Sequence, residues 1–281
     1  MSSPMQHPRA PRHRRYGVAG FVLLAPLQAC SPFGDANVRT TDLPRATLRT
    51  GDDLDVSYVR GGDEASRRIV YVHGTPGDAG AFADYVRYPI DGAEAISIDR
   101  PGFGQTGGPA LCSFERQAAA IEPLLVQRDG RWPVLVGHSL GGPIVARAAA
   151  DYPDRVAAIV IIAGSLDPEL EDPRWFNYAG AMVRPLLPRS LRNSNAEIFD
   201  AREQTELLAG VLDRVRCPVV IVHGTKDGLV PYANVAYMQR AFTNAAAVET
   251  MTIEKGDHFI LWTQPAVVRS AIERAIELAG D

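Results

Sequence analysis

The 281-residue sequence lacks several features that would decide its class at once. It holds three cysteines, none in a Cys-x-x-Cys or Cys/His spacing, so a zinc site is not expected and no metal is implied. No apolar run reaches the roughly 20 residues of an ordinary membrane span. Internal repeats and low-complexity tracts are absent, and so is any basic excess: the formal net charge is −4, which argues against a nucleic-acid partner. What is present is a globular composition, 46% hydrophobic and 22% charged, long enough to bury a sizeable core.

The first 29 residues stand apart. Arg9, Arg12, Arg14 and Arg15 precede a short apolar stretch at 18–27, followed by Leu27-Gln28-Ala29-Cys30. A basic region, a short hydrophobic region and a small residue before the cut are the marks of a secretory signal. The ending resembles the lipobox of bacterial lipoproteins, which implies a lipidated Cys30 and an exported, membrane-anchored protein of the bacterial cell envelope. Residues 1–29 are therefore expected to be a signal peptide and 30–53 a tether, with the folded domain at 54–281. Without residues 1–29 the balance is 25 basic against 33 acidic groups, a net charge of −8. Cys112 and Cys217 would remain, read as two unpaired thiols rather than a disulfide.

Short apolar, β-branched runs at 69–72, 95–98, 134–136, 159–162 and 219–222 are each closed by turn residues. Continuous rather than alternating runs predict strands covered on both faces, as in a parallel sheet. Helical spacing at 114–126, 140–150 and 265–278 separates them, which predicts a mostly parallel, doubly wound α/β sheet. An antiparallel start is expected near 54–59 and a last strand at 248–253. Between 164 and 215 no strand pattern appears, and prolines, arginines and bulky apolar residues predict a helical lid insertion.

Gly137-His138-Ser139-Leu140-Gly141 fits G-x-S-x-G, follows an apolar strand and opens a helix, the context that motif needs. A serine hydroxyl becomes a useful nucleophile only when a base takes its proton and a third group holds the base. Of six histidines, His7 and His13 fall in the signal, His138 adjoins the serine, and His73 and His223 each end a buried strand. His258, in the loop before the final helix, is left as the base. The acid is best sought between serine and histidine, where Asp227 follows the strand at 219–222 by a short loop.

With His73-Gly74-Thr75-Pro76-Gly77, Asp99-Arg100-Pro101-Gly102-Phe103-Gly104, the GHSLGG turn, His223-Gly224-Thr225-Lys226-Asp227 and Gly256-Asp257-His258 in this order, the chain from about 54 to 279 resembles the α/β-hydrolase family, of the esterase and epoxide-hydrolase-like group. The resemblance implies a Ser139–His258–Asp227 triad, oxyanion amides from Thr75 and Leu140, an acyl-enzyme, a small-molecule acyl substrate and no cofactor. It keeps Asp167 as a rival acid. Asp99 and Asp257 are expected to tie their own loops, and Trp175, Phe176 and Tyr178 either pack the lid or line the acyl pocket. Lactonase, aminopeptidase, C–C hydrolase, haloperoxidase-like and acyltransferase chemistries share the triad, and a non-catalytic binder shares the fold.

Overall fold

The computed structural model describes residues 40–90 and 92–280. The expected signal and Cys30 lie outside that range. Among the described residues eight strands are formed: β1 (Arg45–Arg49), β2 (Asp55–Gly62), β3 (Arg67–Val72), β4 (Ala93–Ile98), β5 (Val134–His138), β6 (Ala158–Ile162), β7 (Val219–Gly224) and β8 (Val248–Ile253). They make one sheet of order β1-β2-β4-β3-β5-β6-β7-β8. β2 pairs antiparallel with β1 and β4, and the other pairings are parallel.

The helices are α1 (Ala83–Arg87), α2 (Phe114–Ala119), α3 (Gly141–Asp151), α4 (Trp175–Met182), α5 (Arg189–Ala209), α6 (Asn234–Ala241), α7 (Ile260–Thr263) and α8 (Pro265–Ala279). The period of two along a strand sends alternate residues to opposite faces. One face buries Val70, Val72, Leu135, Ile159, Ile161 and Ile221 against Ile144, Val145 and Ala148 of α3. The other buries Tyr71, Val136, Val160, Ile162 and Val222 against Val268, Ala271 and Ile272 of α8. Both faces are dry, which is why the strands read as continuous apolar runs.

Two expectations need correction. The tether does not extend to residue 53, because Arg45–Arg49 is an edge strand paired with β2. Arg45 also donates to Asp99 at 2.5 Å and to Ser57 at 2.7 Å, binding this segment to the fold. Five residues, two of them arginines, are too short to display an apolar period. The helix expected over 114–126 stops at Ala119 and gives way to a 3-10 turn, Glu122–Leu124. Pro123 lacks an N–H, and its ring would clash with the carbonyl four residues earlier.

The stretch 164–215 contains no strand; it holds α4, α5 and three short 3-10 turns. It is fastened to loops at the carboxyl ends of β4 and β7. Asn193 donates to Gly102 O at 2.7 Å, and Arg174 donates to Gly228 O at 2.8 Å. Among the described residues Cys112 and Cys217 are free thiols, not joined to each other.

Candidate active site

β5 runs straight into α3 through a turn with no slack. A Cβ on Gly137 would sit 2.2 Å from Gly141 O, and one on Gly141 would sit 2.1 Å from Val72 O. Both positions therefore exclude side chains, which is the physical basis of the G-x-S-x-G spacing. Between them Ser139 is held at φ 53°, in the left-handed region, where a non-glycine residue is strained. Two hydrogen bonds fix it there, Ser139 N–H to Ile162 O and Gly142 N–H to Ser139 O, both 2.9 Å. The side chain is half-buried and its hydroxyl makes no hydrogen bond among the described residues. In free enzymes the contact between nucleophile and base is often long and tightens only in the complex.

His258 is buried in the loop after β8, and its Nδ1 lies 2.7 Å from Asp227 Oδ2. Asp227 receives further donors: the amides of Leu229 at 2.9 Å and Val230 at 2.8 Å reach Oδ1, and His223 Nε2 stands 3.4 Å from Oδ2. Burial works against its charged form, but the hydrogen bonds from His223, His258 and Val230 outweigh it and hold the carboxyl well below the usual carboxylate range. Asp227 is thus an anion with its lone pairs occupied, able to fix an imidazole with a proton on Nδ1.

The rival acid lies elsewhere. Asp167 caps the turn Pro168–Leu170 by accepting from Glu169 N–H at 3.0 Å, and no bond links it to His258. Asp257 accepts from Phe259 N–H, and Asp99 accepts from the amides of Ala79 and Gln105, so both tie loops.

Sequence reasoning set aside three histidines that prove to shape the site. His138 Nε2 donates to His258 O at 3.2 Å, fixing the backbone that carries the candidate base. Burial and the neighbouring His258 push its pKa down to about 3, so it stays neutral. His223 stands between Val230 O and Asp227. His73 Nδ1 donates to Gly74 O at 2.7 Å while its Nε2 accepts from Arg100 N–H at 3.1 Å; burial and the Arg100 charge keep it neutral too. The only signal for these roles was position, each histidine ending or adjoining a strand that points at the site.

Thr75 and Leu140, the expected oxyanion donors, both keep a backbone N–H with no acceptor among the described residues. Thr75 Oγ1 is also buried without a partner. Unpaired donors beside a serine are unusual in a folded chain, where most such groups are satisfied. Trp175, Phe176 and Tyr178 are exposed on α4, Trp175 at 75% of its surface, so they are not lid core.

A family model described as the alpha/beta hydrolase fold matches residues 67–193. The non-heme chloroperoxidase of Streptomyces lividans is 27% identical over 267 residues, spanning 79% of this chain and 96% of that protein. Lipase 1 of Psychrobacter immobilis is 23% identical over 252 residues, 76% of this chain and 78% of the lipase. Among solved structures, a putative aryl esterase from Burkholderia cenocepacia shares the fold with a TM-score of 0.63 at 20% identity, over 84% of this chain and 99% of its own. With the sheet order and the serine turn between β5 and α3, these likenesses identify the α/β-hydrolase fold, and the chain resembles the enzymes built on it.

Proposed function

We propose that the protein is a serine hydrolase of carboxylic esters or related acyl compounds. Ser139 attacks the carbonyl carbon, and His258 takes the hydroxyl proton on Nε2. Asp227 holds the imidazole through Nδ1, and the N–H groups of Thr75 and Leu140 receive the oxyanion. Collapse of the tetrahedral species expels the alcohol, protonated by His258, and leaves an acyl-enzyme. Water, deprotonated by the same imidazole, then releases the acid. The observation that carries this reading is Ser139 in the left-handed conformation beside two backbone N–H donors with no acceptor among the described residues.

The helical stretch at 164–215 acts as a lid, with Trp175, Phe176 and Tyr178 at the acyl-binding entrance. A second reading follows from the length of the match to the chloroperoxidase: hydrogen peroxide in place of water would release a peracid from the same acyl-enzyme. Labelling by a fluorophosphonate tests for an activated serine, and a p-nitrophenyl ester series of graded chain length tests the substrate class. A chain that neither labels nor cleaves any ester is a binding protein. Export and lipidation at Cys30 belong to the proposal as well; accumulation of unprocessed precursor under globomycin tests them.

A further inference from the structure

The lid is joined to the oxyanion loop by a buried chain of hydrogen bonds. Arg100, in the loop after β4, is fully buried and forks onto Glu197 of α5, with Nη1 2.6 Å from Oε1 and Nη2 3.0 Å from Oε2. Both side chains are 1% exposed. Gln117 of α2 accepts from Arg100 at 2.6 Å and donates to Glu197 at 2.9 Å, and the guanidinium lies 4.8 Å from the centre of the Phe103 ring. The same Nη2 donates to Gly74 O at 2.9 Å. Arg100 acts on that carbonyl a second time through its backbone, since its N–H orients the His73 ring that donates to Gly74 O.

Gly74 O belongs to the peptide whose other end is the Thr75 N–H. That peptide is trans and planar, so its C=O and N–H point in opposite directions. Two donors clamping the carbonyl therefore aim the Thr75 N–H as well. Gly74 itself abuts the nucleophile, since a Cβ there would lie 2.7 Å from Ser139 Cβ. The geometry points to Glu197 as a positioning residue: by neutralising and orienting Arg100, it fixes the tilt of the Gly74–Thr75 peptide and hence the oxyanion donor. This role rests on the proposed hydrolase reading.

A buried guanidinium stripped of its counter-charge is costly, and the cheapest relief is to shift toward water and leave Gly74 O. Glu197→Gln keeps shape and acceptor oxygen but removes the charge. Its kcat should fall by about 10- to 100-fold, less than the 10²–10³ of losing a donor outright. KM should change little, because the ground-state carbonyl uses the hole weakly. Affinity for a trifluoromethyl ketone, which forms the oxyanion adduct, should fall in step with kcat.

The double variant Arg100→Met/Glu197→Met separates positioning from simple stability. Removing both charges should recover the melting temperature lost in Glu197→Met, yet leave kcat low because Gly74 O has lost one of its two donors. Recovery of both together would mean that the pair is merely structural. The Thr75 amide resonance gives a readout that needs no turnover. It should move or broaden in Glu197→Gln while the Leu140 amide stays in place, and an unmoved Thr75 amide overturns the proposal even if the wild-type protein cleaves no ester. An inactive wild type whose Thr75 amide does move would leave the clamp standing and sink the hydrolase reading instead.

Discussion

The two sides of Ser139 are held by different means. On the acid side, side chains do the holding: Asp227 grips His258 at 2.7 Å, and its second oxygen is filled by amides of its own loop, two and three residues on. On the proposed oxyanion side the candidate donors are backbone amides. Their orientation depends on partners far off in sequence, with Glu197 97 residues beyond Arg100. A reactive side chain can be oriented by one strong neighbour, whereas a peptide group has no rotamer of its own and must be clamped through its carbonyl.

The largest break is at the point shared by both sides. Ser139→Ala should remove ester turnover and fluorophosphonate labelling, leaving the melting temperature unchanged or slightly raised, because the strained turn is built by Gly137 and Gly141 rather than by the hydroxyl. Retained turnover would end the serine mechanism. Next comes the acid side: Asp227→Asn should cost about 10⁴-fold in kcat, as a wrongly held imidazole tautomer does in serine proteases. Asp167→Asn should leave kcat within about twofold, costing only part of a turn cap worth about 1 kcal/mol. The opposite ranking, measured on the same ester, would move the acid to Asp167.

That difference between the sides also explains what could be read from the sequence. The core strands are legible because both faces are buried, and Ser139, His258 and Asp227 stand out as candidates because each follows a strand in a glycine-marked loop. β1 is not legible, since an edge strand of five residues has too few buried positions to make a pattern. Arg100 is visible only as part of a loop motif, and Glu197 only as one acid within the helical insertion expected at 164–215. Nothing local says that the two meet at 2.6 Å out of contact with water.

A smaller effect is expected at the entrance. Trp175, Phe176 and Tyr178 are exposed and so contribute little to the fold. If they receive the acyl chain, Trp175→Ala should raise KM about fivefold for a long-chain ester, the equivalent of about 1 kcal/mol of lost aromatic contact. KM for the acetate ester should not change, nor should kcat. An equal rise for both chain lengths would mean that the residue shapes the mouth without touching the chain.

The last effect falls on stability rather than on turnover: it is the acid sensitivity of the fold, to which both sides contribute. His138, which holds the His258 carbonyl, has its pKa pushed down to about 3 in the folded state, against about 6.5 in an unfolded chain. As pH falls below about 6.5 the unfolded chain takes up a proton that the folded protein refuses, so stability falls with pH throughout that window. The slope is about 1.4 kcal/mol per pH unit for one such group. His73, shifted in the same direction on the oxyanion side, adds a slope of the same sign. Asp227 acts lower: its contribution is complete above about pH 4 and is lost only as pH falls further, toward its depressed folded value. Urea unfolding at pH 7, 6 and 5 should therefore show stability decreasing in wild type. His138→Gln, which keeps a donor for the His258 carbonyl but cannot take the proton, should flatten that decline by about 1.4 kcal/mol per unit. Parallel curves for the two proteins would mean that His138 is hydrated enough to protonate in place, and the acid sensitivity would then belong to the oxyanion side alone.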